Sequence, residues 1–237
     1  MLVLSERLGL QTISWGTKIH NLREVAESAR ALGFHGLELA QPPHSLPEPA
    51  VLGEILDGAN LRLLSLTGGS LQSRMAFGRA LNPLYYYVDE WSEASVRSAL
   101  DEEACLALHP HAYKEMDSIE VAGQYLRRFP QLRLIIDTAH AYLVGDDLQA
   151  ALEIYGDRIV SVHLKDWTSQ FGRSATRFAR GFTALGAGEI HESIRVVLAA
   201  LIEQKFGGWL VVEQDSADGD PLLAAQQSRK WLERFGV

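Results

Sequence analysis

The chain has almost no cysteine, no long apolar run and no signal-peptide pattern, and each absence narrows what the protein can be. Its one cysteine, Cys105, lies in the apolar run CLAL, so no disulfide can form within the chain. No run of apolar residues approaches the length needed to span a bilayer. The opening MLVLSERLGL lacks a basic start followed by an apolar stretch. We therefore expect a cytoplasmic protein without a membrane partner.

Positive charge is also scarce. The chain has 22 Lys and Arg residues against 30 Asp and Glu residues, which gives a formal net charge of −8. This balance argues against binding to the phosphates of a nucleic acid, which attract basic surfaces. It is compatible with a small substrate that is neutral or whose binding a cation assists. We expect a small-molecule partner and no nucleic acid.

Short apolar runs alternate with helical patterns along the whole chain. The apolar runs predict eight strands, at residues 8–15, 36–39, 62–66, 84–91, 105–111, 134–136, 159–162 and 208–215. Apolar residues at steps of three and four predict helices at residues 21–32, 51–58, 117–128, 148–155, 190–204 and 221–235, and Ser92 begins another. Residues 70–83 show no clear pattern.

The alternation favours one closed barrel. No flexible linker divides the chain, so we predict a single domain over residues 1–237. Short apolar strands are typical of a sheet that is covered on both faces. A (β/α)₈ TIM barrel, an α/β fold, explains eight strands better than an open doubly wound sheet, which stays the alternative. The pair Gly186 and Gly188 lacks the third glycine and the preceding strand of a dinucleotide-binding loop.

Two of the predicted strands end at groups that bind metals. Asp137 follows the apolar run 134–136, and His163 follows the run 159–162. A helical pattern lies between them, so the two strands are expected to be parallel, with their carboxyl ends at one edge. Asp137 and His163 should therefore lie side by side, which is half of a divalent-metal site.

Other strand ends carry polar residues that a barrel would bring to the same mouth. These are Glu38, Asp89, Glu90, His109, His111, His140, Lys165, Asp166, Glu213 and Asp215. Such residues can also have purely structural roles. A histidine can be a structural residue, Asp137 can cap the next turn, and Lys165 with Asp166 can form an ion pair at the rim. Burying Asp137, His163 and Glu213 together without a cation would cost several kcal/mol, which favours a metal site.

The motifs DTAH at 137–140, VHLKDW at 162–167, LGAGEIHESI at 185–194 and GWLVVEQD at 208–215 carry a family resemblance. Together they resemble the sugar phosphate isomerase/epimerase superfamily, whose fold is the xylose isomerase-like TIM barrel. Within it the chain is most similar to the inosose dehydratase branch, which shares the HxH of residues 109–111. The resemblance is strongest from Cys105 onward, and in the first third it rests on the initial strand and LGFHGLELA.

The resemblance implies a divalent metal, Mn²⁺, Co²⁺ or Mg²⁺ with Zn²⁺ as a further option. Its implied ligands are His109, Asp137, His163 and Glu213. His109 stands where the two-glutamate epimerases have a glutamate, and this departure counts against epimerisation by two opposed carboxylates.

The implied substrate is a keto-sugar or a keto-inositol, converted by an isomerase or a dehydratase through an enediolate that the metal stabilises. Glu213, His111 and His140 are candidate bases, and Lys165 is a candidate proton donor. Substrate contacts are expected from Glu38 and Asp166, and from Trp15 and Trp167, which can stack on a sugar face. Dehydration and isomerisation both stay open.

Two other functions are compatible with the same barrel. A nuclease of the endonuclease IV type would need further histidines on the second and third strands, but the third strand ends at Gly68-Gly69. The second possible function is that of a non-catalytic sugar-binding barrel, because His109 takes the place of the glutamate at the end of the fifth strand. The short segment 68–83 suggests an open mouth or the contact of a homo-oligomer.

Overall fold

The fold is an eight-stranded parallel sheet that curls into a nearly closed barrel. The computed structural model describes residues 4–215 and 219–237. The barrel strands are β1 (Leu8–Gln11), β2 (Gly36–Leu39), β3 (Arg62–Leu66), β4 (Tyr86–Val88), β5 (Leu106–Leu108), β6 (Arg133–Asp137), β7 (Ile159–Leu164) and β10 (Trp209–Val212). Between β7 and β10, the short strands β8 (Asp166–Trp167) and β9 (Phe182–Thr183) pair antiparallel. The predicted TIM barrel is confirmed.

Helices cover the outside of the barrel. They are α1 (Leu22–Ala31), α2 (Pro49–Gly58), α3 (Leu71–Gly78), α4 (Glu93–Asp101), α5 (Ile119–Arg128), α6 (Thr138–Val144), α7 (Leu148–Tyr155), α8 (His191–Glu203) and α9 (Pro221–Glu233). Asn21, Ser92 and Ser118 cap α1, α4 and α5, each accepting a hydrogen bond from the backbone N–H three residues further on. In the described part of the chain, no helix combines the length and the apolar character that crossing a membrane requires.

The sheet runs in the order β3-β2-β1-β10-β7-β6-β5-β4, so β3 and β4 meet at the seam. The backbone N–H groups of Leu84 and Tyr85, just before β4, donate to carbonyls of β3 at 3.3 and 3.1 Å. The buried guanidinium of Arg74 donates to the carbonyls of Thr67 and Gly69, just after β3, and of Tyr87 in β4, at 2.7, 2.8 and 2.7 Å. Arg74 therefore holds the two edge strands together where they stop pairing.

The barrel interior is filled by one small apolar cluster. Its buried members are Leu64, Tyr85, Tyr87, Ala107, Ile135 and Val211. Leu64 occupies the space beside Gly9 and Gly36, where an added Cβ atom would lie 2.5 and 2.7 Å from its side chain. Glycine at these positions lets a leucine fill the barrel centre, and the larger core lies between the barrel and the helices.

Several predicted boundaries were wrong. The first strand ends at Gln11, because the chain turns into a 3₁₀ segment, Ile13–Trp15, instead of continuing to Trp15. The fourth, fifth and eighth barrel strands are also shorter than predicted. Residues 70–83 contain helix α3, which buries Arg74, Met75 and Gly78. A face built from an arginine, a methionine and a glycine has no apolar periodicity, so the pattern gave no signal.

Candidate active site

A group of ionisable side chains is buried at the carboxyl end of the barrel. We call it the rim cluster: His109, Asp137, His140, His163, Lys165 and Glu213, each at most 5% exposed. Asp137 and His163 are direct partners in the register of β6 and β7, as the βαβ pattern predicts. The other members follow β5, β6, β7 and β10 within a few residues.

The two carboxylate oxygens of Asp137 make different contacts. Oδ1 accepts hydrogen bonds from the N–H groups of Ala139 and His140, both at 2.9 Å, and so caps α6. Oδ2 has no hydrogen-bond partner, and lies 3.4 Å from Lys165 Nζ and 3.7 Å from His109 Nε2. Burial alone would raise the pKa of Asp137, but Lys165 and the nearby histidines hold it well below its usual value. The carboxylate is a helix cap with one oxygen left for a cation.

His163 lies between two carboxylates. Its Nδ1 is 2.6 Å from Glu213 Oε2, and its Nε2 is 3.1 Å from Glu38 Oε1. Glu38 is fully buried and also accepts a hydrogen bond from the hydroxyl of Tyr85. Burial alone would lower the pKa of His163, but Glu38 and Glu213 raise it to about 10. One nitrogen of the ring thus points down into the barrel, and the other points toward the rim cluster.

His109 and His140 are buried without hydrogen bonds to any ring nitrogen among the described residues. Burial lowers the pKa of His109, and it holds that of His140 well below its usual value, so both rings are neutral near pH 7. His109 stacks on Tyr87, with 4.5 Å between ring centroids. A buried polar atom without a partner costs about 1–3 kcal/mol, so these nitrogens are placed for a partner that is not a protein group.

The rim cluster fits a divalent cation. One ligand atom each from His109, Asp137 and His163 lie within 4.8 Å of one another, and all three residues are buried. Imidazole nitrogen and carboxylate oxygen are ordinary ligands of divalent transition metals. Glu213, the fourth implied ligand, lies beside them, but its oxygens contact His163 at 2.6 Å and Lys165 at 2.9 Å. A ligand role for Glu213 stays a prediction.

Lys165 is a buried cation among three carboxylates. Its Nζ lies 2.8 Å from Asp215, 2.9 Å from Glu213 and 3.4 Å from Asp137, and 4.6 Å from the centroid of the Phe182 ring. Burial alone would lower the pKa of Lys165, but the carboxylates hold it well above its usual value. Burial raises the pKa of Asp215 to about 7. The sequence placed Asp215 at a strand end without assigning it a role.

Asp166 and Trp167, both expected at the substrate, hold the loop after β7. Asp166 Oδ1 accepts from the N–H groups of Trp167 and Ile190 at 2.8 and 3.2 Å, and Oδ2 accepts from Gly186 and Gly188 at 3.0 Å each. An added Cβ atom at Gly188 would lie 2.2 Å from Asp166, and one at Gly186 would lie 2.1 Å from Trp231, so both positions require glycine. Trp167 is fully buried and donates to the carbonyl of Phe178 at 2.9 Å. Substrate contacts by this pair stay predictions.

The other residues expected at the active site are Glu38, His111 and Trp15, and they lie at different distances from the rim cluster. Glu38 is beneath His163, in the barrel interior. His111 is half-buried, 3.8 Å between ring centroids from His140, and burial lowers its pKa to about 4. Trp15 lines a cavity of about 340 Å³ formed with Lys18 and Ile19, which contains none of the rim cluster. Its expected stacking on a sugar stays a prediction.

Aromatic side chains close the site above His140. Phe178 and Phe182 lie on the segment after β8, with ring centroids 6.0 and 5.6 Å from that of His140. Phe178 also packs on Tyr113 at 4.9 Å, and the hydroxyl of Tyr113 donates to the carbonyl of Arg173. Residues 168–188 have no periodic pattern, so this cover was not predicted; the apolar Phe178 and Phe182 in a polar loop are the one sequence sign of burial there.

The family profile for the xylose isomerase-like TIM barrel matches residues 86–235, well over half of the chain. The chain belongs to this family. It is therefore a member of the sugar isomerase/epimerase superfamily, as its motifs indicated.

Two curated relatives are inosose dehydratases. That of Salmonella agona is 31% identical over 144 residues, covering 55% of this chain and 47% of the relative. That of Clostridium beijerinckii is 26% identical over 194 residues, covering 74% and 64%. The matches thus span about half to two thirds of the relatives' length.

Solved structures agree on the fold. A xylose isomerase domain containing protein from Salmonella typhimurium LT2 has a TM-score of 0.77 at 13% identity, covering 99% of this chain and 97% of its own. The IolI protein, whose structure has a bound zinc atom, has a TM-score of 0.76 at 16% identity, covering 96% and 97%.

Proposed function

We propose that the protein is a divalent-metal-dependent enzyme of the inosose dehydratase type, acting on a keto-inositol or a keto-sugar. One observation carries the proposal: His109, Asp137 and His163 present ligand atoms within 4.8 Å of one another, in a buried site that also holds Lys165 and Glu213. The similarity to inosose dehydratases supports the substrate class.

A bound divalent ion would supply Lewis-acid polarisation of the substrate carbonyl, which acidifies the neighbouring C–H group. The chain's own groups divide the proton transfers. Glu213, which contacts His163 and Lys165, is a candidate to remove the proton α to the carbonyl, giving an enediolate. His140 and His111 are neutral rings at the same mouth, placed to accept a hydrogen bond from a substrate hydroxyl.

Dehydration suits these groups better than epimerisation. Lys165 carries a proton and lies beside Glu213, so it can protonate the β-hydroxyl as that group leaves. Asp215 contacts Lys165 at 2.8 Å, and its pKa of about 7 lets it return a proton to the lysine near neutral pH. Epimerisation by two opposed carboxylates would need a second carboxylate where this chain has His109, which the proposal assigns to the metal.

The proposal is tested by metal analysis followed by a substrate panel. Inososes, ketoses and their phosphates are incubated with protein in D₂O and followed by NMR, which detects proton abstraction even when the product is unfamiliar. We expect turnover that chelator abolishes, and we expect Glu213→Gln to fold normally without turnover. The exposed Glu203→Gln is the matched control and should keep full activity. Undiminished turnover in chelator would contradict the proposal, and sugar binding without metal or product would favour a non-catalytic barrel.

A further inference from the structure

The ligand atoms available in the rim cluster are mostly nitrogen. His109 has two buried ring nitrogens without a hydrogen bond. His163 directs Nδ1 to Glu213 Oε2 at 2.6 Å, so this nitrogen can bind an ion once that contact opens. Asp137 contributes only Oδ2, because its Oδ1 is engaged by two N–H groups of α6. Two imidazoles and one carboxylate oxygen therefore form the group of candidate ligands among the described residues.

The other carboxylates near this group are engaged elsewhere. Glu213 directs one oxygen to His163 and the other to Lys165, at 2.6 and 2.9 Å. Glu38 has one free oxygen, but it does not belong to the group of atoms that lie within 4.8 Å of one another. Additional oxygen ligands would have to come from Glu213 by giving up a contact, or from substrate and water.

His109 is also held rigidly in place. Its backbone N–H donates to the carbonyl of Val88 at 2.8 Å, and its ring stacks on Tyr87. The carbonyl of Tyr87 in turn accepts from the buried guanidinium of Arg74 at 2.7 Å. Contacts with β4 thus orient the imidazole, as partners outside the metal's own ligands do in metal sites.

We propose that His109 sets the metal preference of this site, in favour of imidazole-binding ions (Fe²⁺, Co²⁺, Zn²⁺) over the oxygen-preferring Mg²⁺ and Mn²⁺. The inference rests on the metal site of the proposed function and adds the class of ion. Imidazole suits iron, cobalt and zinc, whereas carboxylate, carbonyl and water ligands suit magnesium and manganese. The candidate group contains two imidazoles and one carboxylate, which favours the first class.

The experiment compares ratios, because most protein sites bind Zn²⁺ more tightly than Mn²⁺ regardless of selection. Wild type, His109→Glu and the exposed control His20→Glu are dialysed against mixed Mn²⁺ and Zn²⁺, and bound metal is measured by mass spectrometry. Outer-shell changes alone alter metal affinity by about tenfold to a hundredfold, so we expect His109→Glu to raise the Mn²⁺/Zn²⁺ affinity ratio by at least about tenfold. His20→Glu should leave the ratio unchanged. An unchanged ratio in a folded His109→Glu protein would overturn the inference.

A second measurement needs only the wild-type protein. Co²⁺-loaded protein is examined by NMR for hyperfine-shifted, exchangeable ring N–H signals, each of which reports one bound imidazole. We expect two such signals, from His109 and His163, and a single one would overturn the inference. If no divalent ion binds at all, the proposed function fails. If an ion binds without coordination by His109, only this inference fails.

Discussion

Replacing Lys165 should lower the stability of the metal-free protein much more than that of the metal-bound protein. It is 1% exposed and contacts Asp137, Glu213 and Asp215. Lys165→Met keeps the length of the side chain and removes its charge, which leaves buried carboxylates without their cation. Removing one partner of a buried ion pair costs about 3–5 kcal/mol. At roughly 2–4 °C per kcal/mol for a domain of this size, the melting temperature should fall by about 6–20 °C in chelator.

A bound divalent ion should reverse much of that loss, because it places positive charge beside Asp137 Oδ2. The assay is thermal unfolding of wild type and Lys165→Met, each in chelator and in saturating Co²⁺. We expect the gap between the two proteins to be largest in chelator and to shrink with metal. Lys114→Met is the control: its ion pair with Asp89 is partly exposed and should contribute at most about 1 kcal/mol in either condition. A Lys165→Met protein as stable as wild type in chelator would refute the reasoning.

Three further predictions concern residues around the rim cluster. The pKa of His111 is lowered from 6.5 to about 4, so metal-free wild type should lose up to roughly 3 kcal/mol of stability as the pH falls through that window. The free energy of unfolding of His111→Asn, measured in urea, should change less with pH over the same range. Asp166→Asn would place an amide NH₂ against backbone donors, and should cost about 1.5–3 kcal/mol in the same assay. Tyr85→Phe removes the hydroxyl that binds Glu38 beneath His163, and titration calorimetry should show metal binding weakened about tenfold to a hundredfold.

The fold was predictable where apolar patterns were regular. Strand β3 and helices α1 and α5 agree with the prediction to within a residue or two, because their buried faces repeat at fixed steps and their caps are serine or asparagine. Helix α3 and the β8–β9 pair were missed for a physical reason. Their stability comes from contacts specific to this molecule, such as the buried guanidinium of Arg74 and the loop around Asp166, rather than from periodicity.

The site was predictable as a meeting of strand ends, but the direction of each side chain was not. Asp137 and His163 come together because parallel strands end at one edge. The sequence could not tell that Lys165 turns toward Asp215 and Glu213 while Asp166 turns toward Gly186 and Gly188. Neighbouring residues in an extended chain point to opposite sides, and which side faces the site depends on strand register.

The central claim is that His109, Asp137 and His163 share one divalent ion, and anomalous diffraction at the metal edge tests it most directly. Crystals of protein loaded with one equivalent of Co²⁺ should show a single strong anomalous peak within about 2.0–2.2 Å of one atom from each of these three residues. A peak bound elsewhere, or three side chains that keep their present contacts with no ion between them after loading, would contradict the account.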